Sequence, residues 1–201
     1  MREKLVRFGR LIKVEHTLFS LPFSLGTMLL TARGLPDLAT VGWILLAIVS
    51  GRSLGRAANR VIDRQVDLAH PRTRDRELPR GLLSVAEVWV FMLVCAGLLV
   101  WAVLHLPPLC LALLPLAMVL LIGYSYTKFF TPACHFVLGL VLATPVIGSR
   151  LALTGRWDWE ACLLGLGVVL WVSGFDILYA CQDIEFDRVG GIHSVPARLG
   201  L

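Results

Sequence analysis

The sequence predicts an all-α fold, a polytopic transmembrane helical bundle, and three observations carry that prediction. The chain of 201 residues is 57% hydrophobic and only 16% charged, with a mean hydropathy of +0.75. That apolar content is well above an ordinary soluble domain's. From Val88 to Thr127 no Asp, Glu, Lys or Arg occurs, and one membrane-spanning helix needs about 20 apolar residues, so this stretch crosses twice. Along the whole chain six such stretches stand out, at 17–33, 38–58, 86–104, 108–127, 133–153 and 161–181. A soluble globular enzyme is excluded, and residues 1–201 read as a single membrane domain.

Each element follows from its neighbours. The amino-terminal basic run (Arg2, Lys4, Arg7, Arg10, Lys13) leads into the first span without a small-residue cleavage site, so this span is expected to stay as an anchor. Gly34-Leu35-Pro36 separates it from the second. A long polar segment follows, then the uncharged pair of spans broken at Leu106-Pro107-Pro108. Thr131-Pro132 and Thr154-Gly155 punctuate the last three spans, since Gly and Pro mark turns by their backbone preferences. All but three of the 19 basic residues fall on one side of this layout, the exceptions being Arg33, Arg150 and Arg156. Loops rich in Lys and Arg stay cytoplasmic, which places both chain ends there.

The same census disposes of a nucleic-acid partner. The net charge of +5 and the pI near 9.2 come from loops flanking the membrane, and Trp43, Trp89, Trp101, Trp157, Trp159 and Trp171 mostly fall near span ends, as an aromatic belt does. Five cysteines lie in apolar segments without paired spacing and read as small buried hydrophobes. His105 and His135 each stand alone among apolar residues and are assigned no role.

The chemistry-bearing residues form two stripes. Arg52, Arg56, Asn59, Asp63 and Asp67 recur every three or four positions, which on a helix stacks them along one face. Asp176, Tyr179, Asp183 and Asp187 repeat the pattern where the sixth span ends. Both stripes lie on the cytoplasmic side, so they can meet across the bundle. Facing carboxylates repel unless a hard cation neutralises them, and oxygen donors of this kind suit Mg²⁺, which completes its shell with water and phosphate oxygens. Arg72, Arg74, Arg76 and Lys128 add anion-binding groups nearby. A site of this composition at a bilayer surface suits a lipid diphosphate with its tail among the spans.

At these residues the chain resembles a known family. Asn59-Arg-Val-Ile-Asp63-Arg-Gln-Val-Asp67 looks like the NxxxDxxxD signature of UbiA-type intramembrane aromatic prenyltransferases. Asp176-Ile-Leu-Tyr179-Ala-Cys-Gln182-Asp183-Ile-Glu-Phe-Asp187 resembles their second aspartate-rich motif. Pro71-Arg72-Thr73 with Arg76 and Pro79, and Tyr124-Ser-Tyr126-Thr-Lys128, resemble two further cytoplasmic-side segments. The branch most similar in wording is the bacterial 4-hydroxybenzoate polyprenyltransferase-like one.

The resemblance implies a Mg²⁺-dependent transfer of a polyprenyl group from polyprenyl diphosphate to an aromatic acid, 4-hydroxybenzoate first, in quinone biosynthesis at the bacterial inner membrane. It implies Asp63, Asp67, Asp183 and Asp187 as metal ligands, with Asn59, Arg72 and Lys128 at the diphosphate. Asp176 and Arg52 would orient the acceptor or receive its proton, and Tyr179 would stabilise the cation through its ring face. Family members have about nine spans, each needing ~20 residues, so a chain with six is expected to lack the last three and its activity to depend on them. Phe129 departs from the basic residue many members carry after the lysine.

The same residues admit other readings. The acceptor of some relatives in the same branch is 1,4-dihydroxy-6-naphthoate, for menaquinone. An ion-coupled transporter would also place acids in a membrane, although no inverted repeat is present. An inactive fragment is the third.

Overall fold

The computed structural model describes residues 2–200, with backbone only at 2, 3, 5 and 14–20. The side chain of Arg2, counted above in the basic run, and those of residues 17–20 in the first expected span lie outside the described residues. Every regular element among the described residues is helical: α1 (Arg2–Ile12), α2 (Val14–Ala32), α3 (Leu38–Ile62), α4 (Arg64–Ala69), α5 (Val85–Val103), α6 (Pro108–Thr127), α7 (Cys134–Thr154), α8 (Trp159–Ala180), α9 (Ile184–Gly190) and α10 (Val195–Leu199). Five helices are long and apolar enough to cross a bilayer, and Leu21–Ala32 is a shorter apolar one. The expected spans thus reappear with their ends displaced by a few residues.

Local chemistry explains where the helices start and stop. Asp37 caps α3 by accepting the Thr40 N–H at 2.9 Å. Ser84 and Glu87 form a reciprocal capping box at α5. Asp158 accepts the Ala161 N–H at 2.9 Å to start α8. Such caps satisfy amide donors that have no partner inside the helix. Gly155 closes α7 with φ of 67°, a left-handed conformation that costs glycine little.

Within a bilayer, lipid tails are as apolar as leucine, so helix pairing relies on close packing and hydrogen bonds rather than on burial from water. Helix α7 packs against α2, α6 and α8, while α3 packs against α5 and α6. Gly139 makes the α7–α8 contact tight, since a Cβ there would lie 2.7 Å from the Val169 carbonyl oxygen. Gly55 does the same for α3 and α6, with 3.2 Å to the Leu121 carbonyl oxygen. Large apolar side chains such as Leu30, Leu93, Val119 and Leu170 remain exposed on the outside, as lipid-facing residues do.

Helix α1 lies across the start of α5. Leu11 is buried, Phe8 stacks on Phe91 with centroids 4.9 Å apart, and Lys4 meets Glu87 at 2.6 Å. Helix α3 has 25 residues, about 37 Å at ~1.5 Å per residue, and exceeds a hydrocarbon core of about 30 Å by more than a turn. Its last turns therefore reach the membrane surface and carry Asn59.

Candidate active site

The first stripe does not continue as one straight helix. Helix α3 ends at Ile62, Asp63 is the joint with φ −83° and ψ 0°, and α4 carries Asp67 onward. The register survives, because the Asp67 N–H still donates to the Asp63 carbonyl at 2.7 Å. The side chains diverge into two settings. Asp63 Oδ2 accepts from Asn59 Nδ2 at 2.7 Å and from Lys128 Nζ at 2.6 Å. Asp67 is clamped by Arg60 Nη1 at 3.1 Å and Arg76 Nη1 at 2.6 Å. Asn59 also donates to Ser125 Oγ of α6 at 3.1 Å, one turn beyond the close approach at Gly55, so backbone packing places this side chain.

The second stripe is also interrupted. Helix α8 ends at Ala180, and a single 3₁₀ turn over Cys181–Asp183 precedes α9, so the even helical spacing expected from Asp176 to Asp187 is broken. Asp183 receives Arg72 Nη2 and lies 3.3 Å from His70 Nε2. The Arg72 guanidinium also donates to the Tyr179 hydroxyl and sits 4.8 Å above that ring. Asp187 accepts from Ser194 Oγ at 2.6 Å. Asp176 Oδ2 lies 2.6 Å from His135 Nδ1. The loop after the first motif thus reaches the second, and the two stripes meet.

Between them is a pocket of about 250 Å³, walled by Asp67, Arg72, Lys128, Asp176, Asp183 and Asp187. Beside it opens a cavity of about 1250 Å³, larger than the few hundred to 1,000 Å³ typical of small-molecule sites. Its polar end holds Arg52, Arg56, Asn59, Tyr124, Tyr179 and Gln182, and its depth is apolar, with Ile48, Leu114, Val141, Trp171 and Phe175. Lys13, in the break between α1 and α2, also faces this wall. Burial, and then the positive charges of Arg76, Arg60, Arg56 and Arg72, hold its ammonium below the usual lysine range, the signature of a cation-rich mouth.

Among the described residues no three His, Cys, Asp or Glu side chains are grouped closely enough to hold a metal alone. The donor set still suits magnesium. Asp63 Oδ1 is buried without a hydrogen-bond partner, which is costly for a carboxylate oxygen unless a cation meets it. Magnesium usually takes one or two carboxylates and completes its shell with water and substrate phosphate.

Sequence reasoning missed several of these residues. Arg60, His70, Ser125 and Ser194 carry no motif signal of their own. His135, assigned no role above, is buried as a packed histidine would be, yet it bonds Asp176. His105 lies far from this chemistry, stacked on Trp43 at 3.9 Å.

The profile of the UbiA prenyltransferase family matches residues 20–201. The chain belongs to that family. It is therefore a prenyltransferase by descent, with the all-helical fold that descent implies. Among curated relatives, the UbiA chain is 31% identical over 203 residues to 4-hydroxybenzoate octaprenyltransferase of Shewanella sediminis, covering 100% of this chain and 71% of that one. With the enzyme of the same name from Aliivibrio fischeri the figures are 34% over 180 residues, 88% and 62%. Among solved structures, the apo form of a UbiA homolog from Aeropyrum pernix K1 matches with TM-score 0.85 and 35% identity, over 92% of this chain and 70% of that one. A UbiA homolog from Archaeoglobus fulgidus bound to DMAPP and Mg²⁺ shares the fold at TM-score 0.77 and 21% identity, over 96% and 69%.

Proposed function

We propose that this protein transfers a polyprenyl group from polyprenyl diphosphate to an aromatic acid, 4-hydroxybenzoate, in a bacterial cytoplasmic membrane. One observation carries the reading: two carboxylate motifs joined by Arg72 and flanked by Lys128 stand at the polar mouth of a long apolar cavity. That arrangement suits a molecule with a charged head and an apolar tail. The names of the relatives support the choice of acceptor, and the basic-residue census supports a mouth facing the cytoplasm.

In this reading Arg72, Lys128 and Asn59 bind the diphosphate, and Asp63, Asp67, Asp183 and Asp187 hold Mg²⁺ directly or through water. Magnesium, when bound, supplies positive charge that stabilises the leaving diphosphate. The cationic wall adds electrostatic stabilisation where negative charge grows, and the apolar depth keeps water from the allylic cation. Tyr179 turns a ring face toward that cation. Arg52 and Asp176 face the acceptor, orienting it or receiving its proton.

The test is Mg²⁺-dependent diphosphate release from a polyprenyl diphosphate by the purified protein in detergent, with 4-hydroxybenzoate, 1,4-dihydroxy-6-naphthoate or no acceptor. Release with 4-hydroxybenzoate, lost in Asp183→Asn, is the expected result. Release only with the naphthoate would move the protein to menaquinone synthesis. A folded protein that releases nothing would overturn the reading.

A further inference from the structure

We propose that His135 is a positioning residue for proton removal from the acceptor ring, acting through Asp176. His135 stands in the first turn of α7, buried, with Nδ1 2.6 Å from Asp176 Oδ2 on α8. On its other side the Val195 N–H, at the start of α10, donates to Nε2 at 3.2 Å. A backbone N–H can only donate, so Nε2 is the bare nitrogen and the ring hydrogen is on Nδ1, pointing at the carboxylate. The tautomer is thus set by the backbone after the second motif.

The surrounding packing holds the pair in register. Ser173 Oγ, one turn before Asp176, donates to the Val169 carbonyl of its own helix at 2.7 Å and lies 3.2 Å from the His135 carbonyl oxygen, so α7 and α8 are in close contact here. Gly139, one turn after His135, permits the close α7–α8 approach. The segment that supplies Val195 also fixes the other motif residues: the His193 N–H donates to the Lys128 carbonyl at 2.7 Å, and Ser194 holds Asp187. With Oδ2 engaged, Asp176 Oδ1 is the oxygen without a hydrogen-bond partner among the described residues, on a side chain that borders both the cavity and the pocket between the motifs.

This assignment rests on the aromatic prenyl transfer proposed above. In that transfer the donor C1–O bond breaks and its electron pair leaves on the diphosphate. A π pair of the ring forms the new C–C bond, and the attacked carbon then sheds its proton to restore the aromatic sextet. Asp176 Oδ1 receives the proton. A carboxylate at the inner end of an apolar span needs a fixed hydrogen-bond donor to keep one oxygen oriented, and His135 supplies it.

The experiment uses 4-hydroxybenzoate deuterated at the ring carbons beside the hydroxyl, with wild type, His135→Leu and His135→Asn. In wild type, loss of the ring proton follows a slower ionisation, and the isotope effect on turnover stays near unity. His135→Leu is expected to lower kcat at least about tenfold, as loss of a proton-transfer contribution does, to leave the donor KM unchanged and to bring out a primary isotope effect. In His135→Asn the amide nitrogen falls where Nδ1 was, so it restores much of kcat and removes the isotope effect; this variant also serves if the leucine protein does not fold. Full activity in His135→Leu, or a lower kcat without an isotope effect and without rescue by asparagine, would show that His135 is only a strut between helices. A wild-type protein that prenylates no aromatic acid would instead overturn the function itself, and this assignment with it.

Discussion

The two ends of the bundle use the same side-chain types to opposite effect. Where α7 turns into α8, Arg150 forks onto Asp158 through Nε and Nη2, both at 2.8 Å. It also reaches Glu160 at 3.3 Å and Thr31 Oγ1 at 3.4 Å. Its charge is answered on the spot. At the other end Lys13, Lys128 and five arginines line the cavity, and Asp176 is the one acid among the described residues of its wall. A matched ion pair away from the cavity ties helices together, whereas Lys128, Arg60, Arg76 and Arg72, paired with Asp63, Asp67 and Asp183 at the rim of an apolar hollow, present their charge where an anion with an apolar tail would enter.

Substitutions on the two sides should therefore separate activity from stability. The largest effect is expected from Arg72→Ala, which unlinks the two motifs; kcat for diphosphate release should fall about a hundredfold, the scale of removing one preorganised charge, with the thermal midpoint kept. A midpoint that drops instead would make Arg72 a staple like Arg150.

Lys128→Ala comes next. It removes a charge-assisted contact worth about 1.5–3 kcal/mol, so the donor KM should rise roughly tenfold or more. Because Lys128 also pairs with the buried Asp63 at 2.6 Å, a modest fall in thermal midpoint is expected alongside the rise in KM. Arg150→Ala should act on stability alone, lowering the thermal midpoint in detergent with kcat and donor KM unchanged; a loss of turnover would break the comparison outright. The smallest change is expected from Lys13→Gln, which removes one cation at the rim: donor affinity should weaken about twofold to threefold at low salt, with the difference vanishing as ionic strength shortens the Debye length.

Much of this was legible in one dimension. The span 108–127 was placed to the residue, and the others within a few positions, because apolar length and turn residues are local properties. The residue types of the site were legible too, since spacing by three and four survives in any helix. The breaks were not. A joint at Asp63 and a 3₁₀ turn at 181–183 depend on what each segment docks against, so the two even stripes became five differently placed acids. Asp67 illustrates the consequence: both its oxygens are held by arginines, while Asp63 keeps one oxygen without a partner.

By itself, the sequence determined that this protein is a polytopic helical bundle with acids and cations gathered at one membrane face. Bilayer thickness, helix periodicity and the sidedness of basic loops act on short stretches and need no knowledge of the fold. Tertiary structure alone decided the partners: Lys128 with Asp63, Arg72 with Asp183 across 111 positions, His135 with Asp176 across 41. Such pairs form where glycines let helices close and loops fold back, and contacts between distant positions leave no periodic trace in the chain.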